Sequence, residues 1–198
     1  MALHDPTPKL TYEDYVRIPD DGKRHEIIDG EHFVTAAPFI RHQDLVLRLA
    51  ILLGSFVRDH RLGRLLIAPT DVILSPHDIV QPDLLFISNE RASILTEKNI
   101  QGAPDLVIEI LSNSSRRLDE VLKRQAYERF GAREYWIFDP QSKTTQVWER
   151  TSEGLRRRGL LSAAAGDVVT SPLLPGLEIP LAEIFEEYVA RPSGSRAG

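Results

Sequence analysis

The sequence predicts an α/β (α+β) fold, with a central mixed β-sheet flanked by helices. Three observations lead there. The elements run helix, hairpin, helix, three strands, helix and strand hairpin along the chain. A long amphipathic stretch, Arg41 to His60, divides the first hairpin from the apolar strands. The segment Leu106 to Trp136 reads strand–helix–strand, which suits a right-handed parallel crossover.

Residues 1–9 read as a proline-containing flexible arm, and residues 10–190 as one domain. A short helix starts at Thr11, which can cap the amide of Asp14, with Leu10 stapled onto Tyr15. Pro19 and Asp20-Asp21-Gly22 end it. Arg24–Ile28 and Glu31–Ala36 form a hairpin, because Asp29-Gly30 tolerates the positive φ of a two-residue turn. Pro38 closes the second strand. In the long helix, Leu45, Leu49, Leu52, Leu53 and Phe56 recur at helical spacing, and Gly63 marks a stop nearby.

Strands are expected over Leu65–Leu74, broken by Pro69, over Asp83–Ser88, and over Leu106–Leu111. Asp78 and Pro82 fall in the turn before the second of these, and 90–100 is a short helix or loop. A helix over Ser115–Phe130 places Leu118, Leu122, Ala126 and Phe130 on one face. Asn113 or Ser114 caps it and Gly131 ends it. Glu134–Phe138 and Thr144–Glu149 make a further hairpin. Two or three short strands and a helical turn around Ala182–Val189 follow, then a disordered tail over 191–198.

Composition narrows the chemistry. The chain has no cysteine, which excludes disulfides and thiolate metal sites. A metal must then be held by oxygen or imidazole, and a carboxylate set favours Mg²⁺ or Mn²⁺. The net charge of −5 counts against a protein that coats nucleic acid non-specifically. Arginines do cluster at Arg116, Arg117, Arg124, Arg129 and Arg133, and at Arg156–Arg158, although such runs are usually solvated faces. MALHDPTPKL lacks the pattern of a secretory leader, and no apolar run approaches the ~20 residues of a membrane span. A soluble, cytoplasmic protein is expected.

Four residues stand out. Glu109 sits in DLVIEILS, inside an apolar run of the kind buried on both sheet faces. A carboxylate there costs several kcal/mol (order of magnitude) unless a cation compensates it. The competing reading is an arginine-paired or edge position. Asp83 follows Pro82 at the start of another apolar strand; alone it is an ordinary loop-to-strand aspartate, but with Glu109 it could converge on one hard cation. Lys123 lies on the crossover helix at the boundary of core and solvent, with Asp119 and Tyr127 four residues to either side. A surface ion pair with Asp119 is the alternative. Glu26, on the first hairpin strand, either completes an acidic cluster or is a polar hairpin position.

Pro82-Asp83 followed by a carboxylate inside an apolar strand is similar to the signature of the PD-(D/E)xK nuclease superfamily. Within it, the chain resembles the Uma-type family of candidate restriction endonucleases. The stretches that carry this are RHEIIDGE, RHQDLVLRL, VQPDLLFIS, APDLVIEILSNSS and LKRQAYERFGAREYWIFDP. They cover the chain from about residue 10 to residue 185. The superfamily places a lysine two residues after the strand carboxylate, on the same face. Here that position is Leu111, so the resemblance implies that Lys123 substitutes. His42 matches a histidine recurrent in family members.

The resemblance implies a restriction-endonuclease-like fold and a Mg²⁺- or Mn²⁺-dependent endonuclease that hydrolyses DNA as a homodimer. Asp83, Glu109 and the carbonyl of Ile110 would hold the metal, and Lys123 and Glu26 would complete the catalytic group. The rival expectation is a catalytically inactive nuclease-fold protein serving as a binding or assembly module, which Leu111 and the acidic charge favour. A carboxylate-pair glycosidase would need an aromatic platform, and aromatics are only 7% of the chain.

Overall fold

A computed structural model describes residues 8–37 and 39–186. The strand closure expected at Pro38, most of the N-terminal arm and the tail over 191–198 lie outside the described residues. Thr11 caps the short helix α1 (Tyr12–Tyr15) through a reciprocal box with Asp14. Asp29 and Gly30 take φ of 51° and 80°, which turns β1 (Arg24–Ile28) back on β2 (Glu31–Thr35). The long helix α2 (Ile40–Asp59) follows and buries Leu45, Leu49, Leu53 and Val57.

The expected strand over Leu65–Leu74 is two strands. Pro69 cannot donate to a ladder, and around it β3 (Gly63–Ile67) and β4 (Val72–Ser75) part into different sheets. Asp78 lies in a strand, β5 (Asp78–Val80), rather than in a turn. Then come β6 (Leu84–Ser88), a 3₁₀ turn over Asn89–Ile94, β7 (Ile100–Gln101) and β8 (Leu106–Ile110). The crossover follows: a π-helical stretch over Leu118–Lys123 runs into α3 (Arg124–Phe130). Its start is tied by Ser112 and Ser115, which exchange backbone-to-hydroxyl hydrogen bonds, not by Asn113 or Ser114. Gly131, at φ 93°, ends it in the left-handed conformation expected of a terminating glycine. The rest is β9 (Glu134–Asp139), β10 (Thr144–Thr151), β11 (Gly154–Ser162), β12 (Val168–Ser171), β13 (Leu174–Pro180) and α4 (Leu181–Ile184).

The main sheet has the order β11-β10-β9-β8-β6-β3 and is mixed: β8 and β9 are parallel, the other neighbours antiparallel. A second sheet runs β2-β1-β5-β4-β7, and β12 and β13 form a separate hairpin. The period of two along a strand divides the interior into two cores. Leu84, Phe86, Ile108, Trp136 and Phe138 pack against α2, β13 and α4. Leu85, Ile87, Val107, Leu111, Tyr135 and Ile137 pack with Tyr127 of α3 and Ile28, Val72 and Val80 of the second sheet. Glu109 alternates with Ile108 and Ile110, so it belongs on the second of these faces. It is 1% exposed.

Candidate functional site

Each site residue is delivered by a different element. In β1, Glu26 is buried and stands opposite Phe33. Asp83 immediately precedes β6, and Glu109 lies within β8. Along the crossover, the apolar stripe predicted at Leu118, Leu122, Ala126 and Phe130 is only half buried: Leu122 and Phe130 are partly exposed. The π-helical stretch widens the turn and rotates the buried face by about one residue. Asp119, Lys123 and Tyr127 therefore point inward and are 2%, 1% and 0% exposed.

The structure brings Glu26, Glu109 and Lys123 together. Lys123 Nζ lies 3.0 Å from Glu109 Oε1, 2.8 Å from Glu26 Oε1 and 3.3 Å from Asp119 Oδ1. The expected surface pairing of Lys123 with Asp119 is a real contact, but a buried one. The Gln81 backbone N–H donates to Glu26 Oε1 at 2.7 Å. Among the described residues, Glu26 Oε2 has no hydrogen-bond partner, and Asp119 Oδ1 has only the ionic contact, without hydrogen-bond geometry.

Asp83 adjoins this cluster, donating its amide to Glu109 Oε2 at 3.3 Å. Its carboxylate, however, faces other partners. Arg24 Nη1 lies 2.9 Å from Oδ1, and His42 Nε2 lies 3.0 Å from Oδ2. The Ile110 amide donates to Oδ2 at 2.8 Å. His42 thus finds its place at the start of α2 as a partner of Asp83. Lys123, Glu109, Glu26, Asp83 and His42 line one pocket of about 810 Å³, with exposed Phe39 on its rim.

The two halves titrate in opposite directions. Burial raises Glu109 well above the usual carboxylate range; Lys123 opposes this, while Asp119, Asp83 and Glu26 add to it. Burial likewise raises Asp119. Burial also works on Asp83, but the hydrogen bond from His42, the Arg24 charge and the Ile110 amide outweigh it and hold Asp83 below that range. Lys123 is pushed above its ordinary value, because three carboxylates overcome the desolvation that would lower it.

Sequence reasoning missed Arg24 and Asp119 as members of this group. Asp119 carried a signal, its i,i+4 spacing to Lys123. Arg24 carried none, since its pairing with Asp83 spans 59 residues.

The model of the Uma2 family, described as "Putative restriction endonuclease", matches residues 12–182. The chain belongs to the Uma2 family. A solved structure described as "a putative nuclease belonging to DUF820", from Anabaena variabilis ATCC 29413, superimposes with a TM-score of 0.75 at 19% identity. The match covers 89% of this chain and 97% of that one, and shows a shared fold. Comparison with curated proteins gives no match. This Uma2 protein thus shares its fold with a protein described as a nuclease and belongs to a family described as restriction endonucleases. No helix among its described residues is long and apolar enough to cross a membrane.

Proposed function

We propose that this Uma2 protein is a Mg²⁺- or Mn²⁺-dependent endonuclease that hydrolyses phosphodiester bonds in DNA, with Asp83, Glu109, Lys123 and Glu26 as its working residues. One observation carries the reading. Four buried carboxylates, Glu26, Asp83, Glu109 and Asp119, face two permanent cations, Arg24 and Lys123. With all four ionised, the excess matches the charge of one divalent ion. The acidic donors are hard oxygens, which suit Mg²⁺ or Mn²⁺, and Glu26 Oε2 is a buried oxygen that lacks a hydrogen-bond partner among the described residues. DNA as substrate follows the family's description as restriction endonucleases.

Asp83 and Glu109 would hold the ion, with the Ile110 carbonyl as third ligand. A residue in a strand carries its N–H and C=O on the same edge, and the Ile110 amide already faces Asp83. What an ion held there would supply is Lewis-acid polarisation of a phosphoryl oxygen and a more acidic water. Lys123 anchors Glu109 and presents positive charge where negative charge grows on the phosphate. Glu26 fixes the other side of the Lys123 ammonium. Arg24 and His42 lock the Asp83 carboxylate in one orientation. A homodimer, each copy cutting one strand, is the assembly this reading expects.

One observation favours a second reading, a nuclease-fold binding or assembly module. Among the described residues, no three acidic or imidazole side chains stand ready to hold one ion. The carboxylates turn instead onto Arg24 and Lys123. Calorimetric titration of Mn²⁺ into the wild type and Glu109→Gln, beside cleavage of plasmid and single-stranded DNA, separates the two. Binding and cleavage that both vanish in the variant support the endonuclease. A wild type that binds no metal and cuts nothing supports the module.

A further inference from the structure

A second cavity, of about 490 Å³, opens at the far end of α2. Its lining includes Arg58, Arg61 and Arg64, with Val57 and Leu65 as apolar surface and Asn89 beside them. Among the described residues, no carboxylate lines it. Arg58 is explained without a ligand: it sits in the last turn of α2, where a cation complements the helix dipole, and it contacts Asp59 at 3.0 Å. Arg61 and Arg64 have no such account. Both are exposed, and neither has an acidic partner among the described residues. Arg64 stands on β3, an edge strand of the main sheet.

We propose that this arginine-rimmed cavity binds the phosphate backbone of a nucleic-acid strand, remote from the acidic centre. The proposal rests on the nuclease reading and extends it. A pocket with an excess of carboxylates repels a polyanion until a cation neutralises it, so attraction must come from another surface. Guanidinium groups suit phosphate oxygens because their planar fork donates two parallel hydrogen bonds. The sixteen residues from His42 to Arg58 put the two pockets roughly 24 Å apart along α2, at ~1.5 Å per residue. A duplex would need about seven base pairs to span that, at ~3.4 Å each.

The test uses the full chain and the double variant Arg61→Glu/Arg64→Glu. Anisotropy of a long labelled duplex and a labelled single strand is read between about 50 and 200 mM salt, without divalent metal, and inorganic phosphate is titrated separately. The expected result is at least ~10-fold weaker strand binding in the variant and a salt slope smaller by about two. Unchanged thermal unfolding would show that the variant is intact. Strand binding equal in the two proteins overturns the proposal and leaves the nuclease reading standing. A wild type that binds neither strand under these metal-free conditions also overturns the proposal, and the nuclease reading then stands or falls on the metal titration and cleavage assay alone. Phosphate binding lost in the variant with strand affinity unchanged makes this a small-anion site, and also overturns the proposal.

Discussion

Lys123 Nζ and Glu109 Oε1 stand 3.0 Å apart, and both residues are 1% exposed. One comes from the strand β8 and the other from the helical crossover that follows it. Neither could be buried alone at tolerable cost, so each is the condition for the other's depth.

Removing the ammonium should therefore be severe. Lys123→Met leaves Glu26, Glu109 and Asp119 without their shared cation. Near neutral pH the loss should be about 3–5 kcal/mol, read by urea denaturation in metal-free buffer. At acidic pH the loss should shrink, because the carboxylates can take up protons. Equal losses at both pH values would refute the electrostatic account.

Glu109 should make the metal-free protein weaker as pH rises. Its folded pKa is raised above 4.5, so the folded state holds the proton more tightly than the unfolded chain. That contribution is fully present below the unfolded value and is lost as pH rises through the folded one. Glu109→Gln lacks this titration, so its melting temperature should fall less steeply over the same range. Parallel curves for the two proteins would contradict the raised pKa.

Asp83 should act at the other end of the scale. Its folded pKa lies below 3.8, so its stabilisation is present above that value and is lost as pH falls through the folded one. Asp83→Asn should flatten this acid limb. It should also cost about 2–3 kcal/mol near neutral pH, because the largely buried Arg24 loses a charged partner. An unaltered acid limb in denaturant midpoints would count against the assignment.

Away from the site, Ser171 donates to the buried Glu134 Oε1 at 2.6 Å, and Trp136 donates to Oε2 at 2.9 Å. This polar knot ties β12 to the main sheet. Ser171→Ala should cost about 1–3 kcal/mol and speed proteolysis within the β12–β13 hairpin. A variant as protease-resistant as the wild type would show that the apolar contacts of Val169 and Leu174 dock the hairpin unaided.

What could be read from the sequence was local or periodic. Asp29-Gly30 announced its hairpin because positive φ is a property of residue type. The apolar run around Glu109 announced a buried strand, and the strand–helix–strand unit announced the β8–β9 crossover. The restriction-endonuclease-like fold and the family followed from the same ordered motifs. What stayed hidden was long-range. The sheet divides at Pro69, although the flanking apolar residues read as one broken strand. Asp78 opens a three-residue strand, too short to show a period, that pairs locally with β4 and is extended into a sheet by the distant β1. The depth of Lys123 depends on a widened turn, which has no residue signature comparable to a capping serine. The charge pattern suggested Asp119 only as a surface partner, and Arg24 not at all.

The widened turn between Leu118 and Lys123 sets the angular phase of the whole crossover. Each residue in an α-helix advances the face by about 100°. Losing one residue ahead of Lys123 would swing its ammonium out of the pocket while sparing helical content, so far-ultraviolet circular dichroism would barely change as the acidic centre lost its cation. This segment should therefore accept many changes of letter and very few changes of length. A gap there would mark where a descendant of this chain had abandoned its chemistry while keeping its shape.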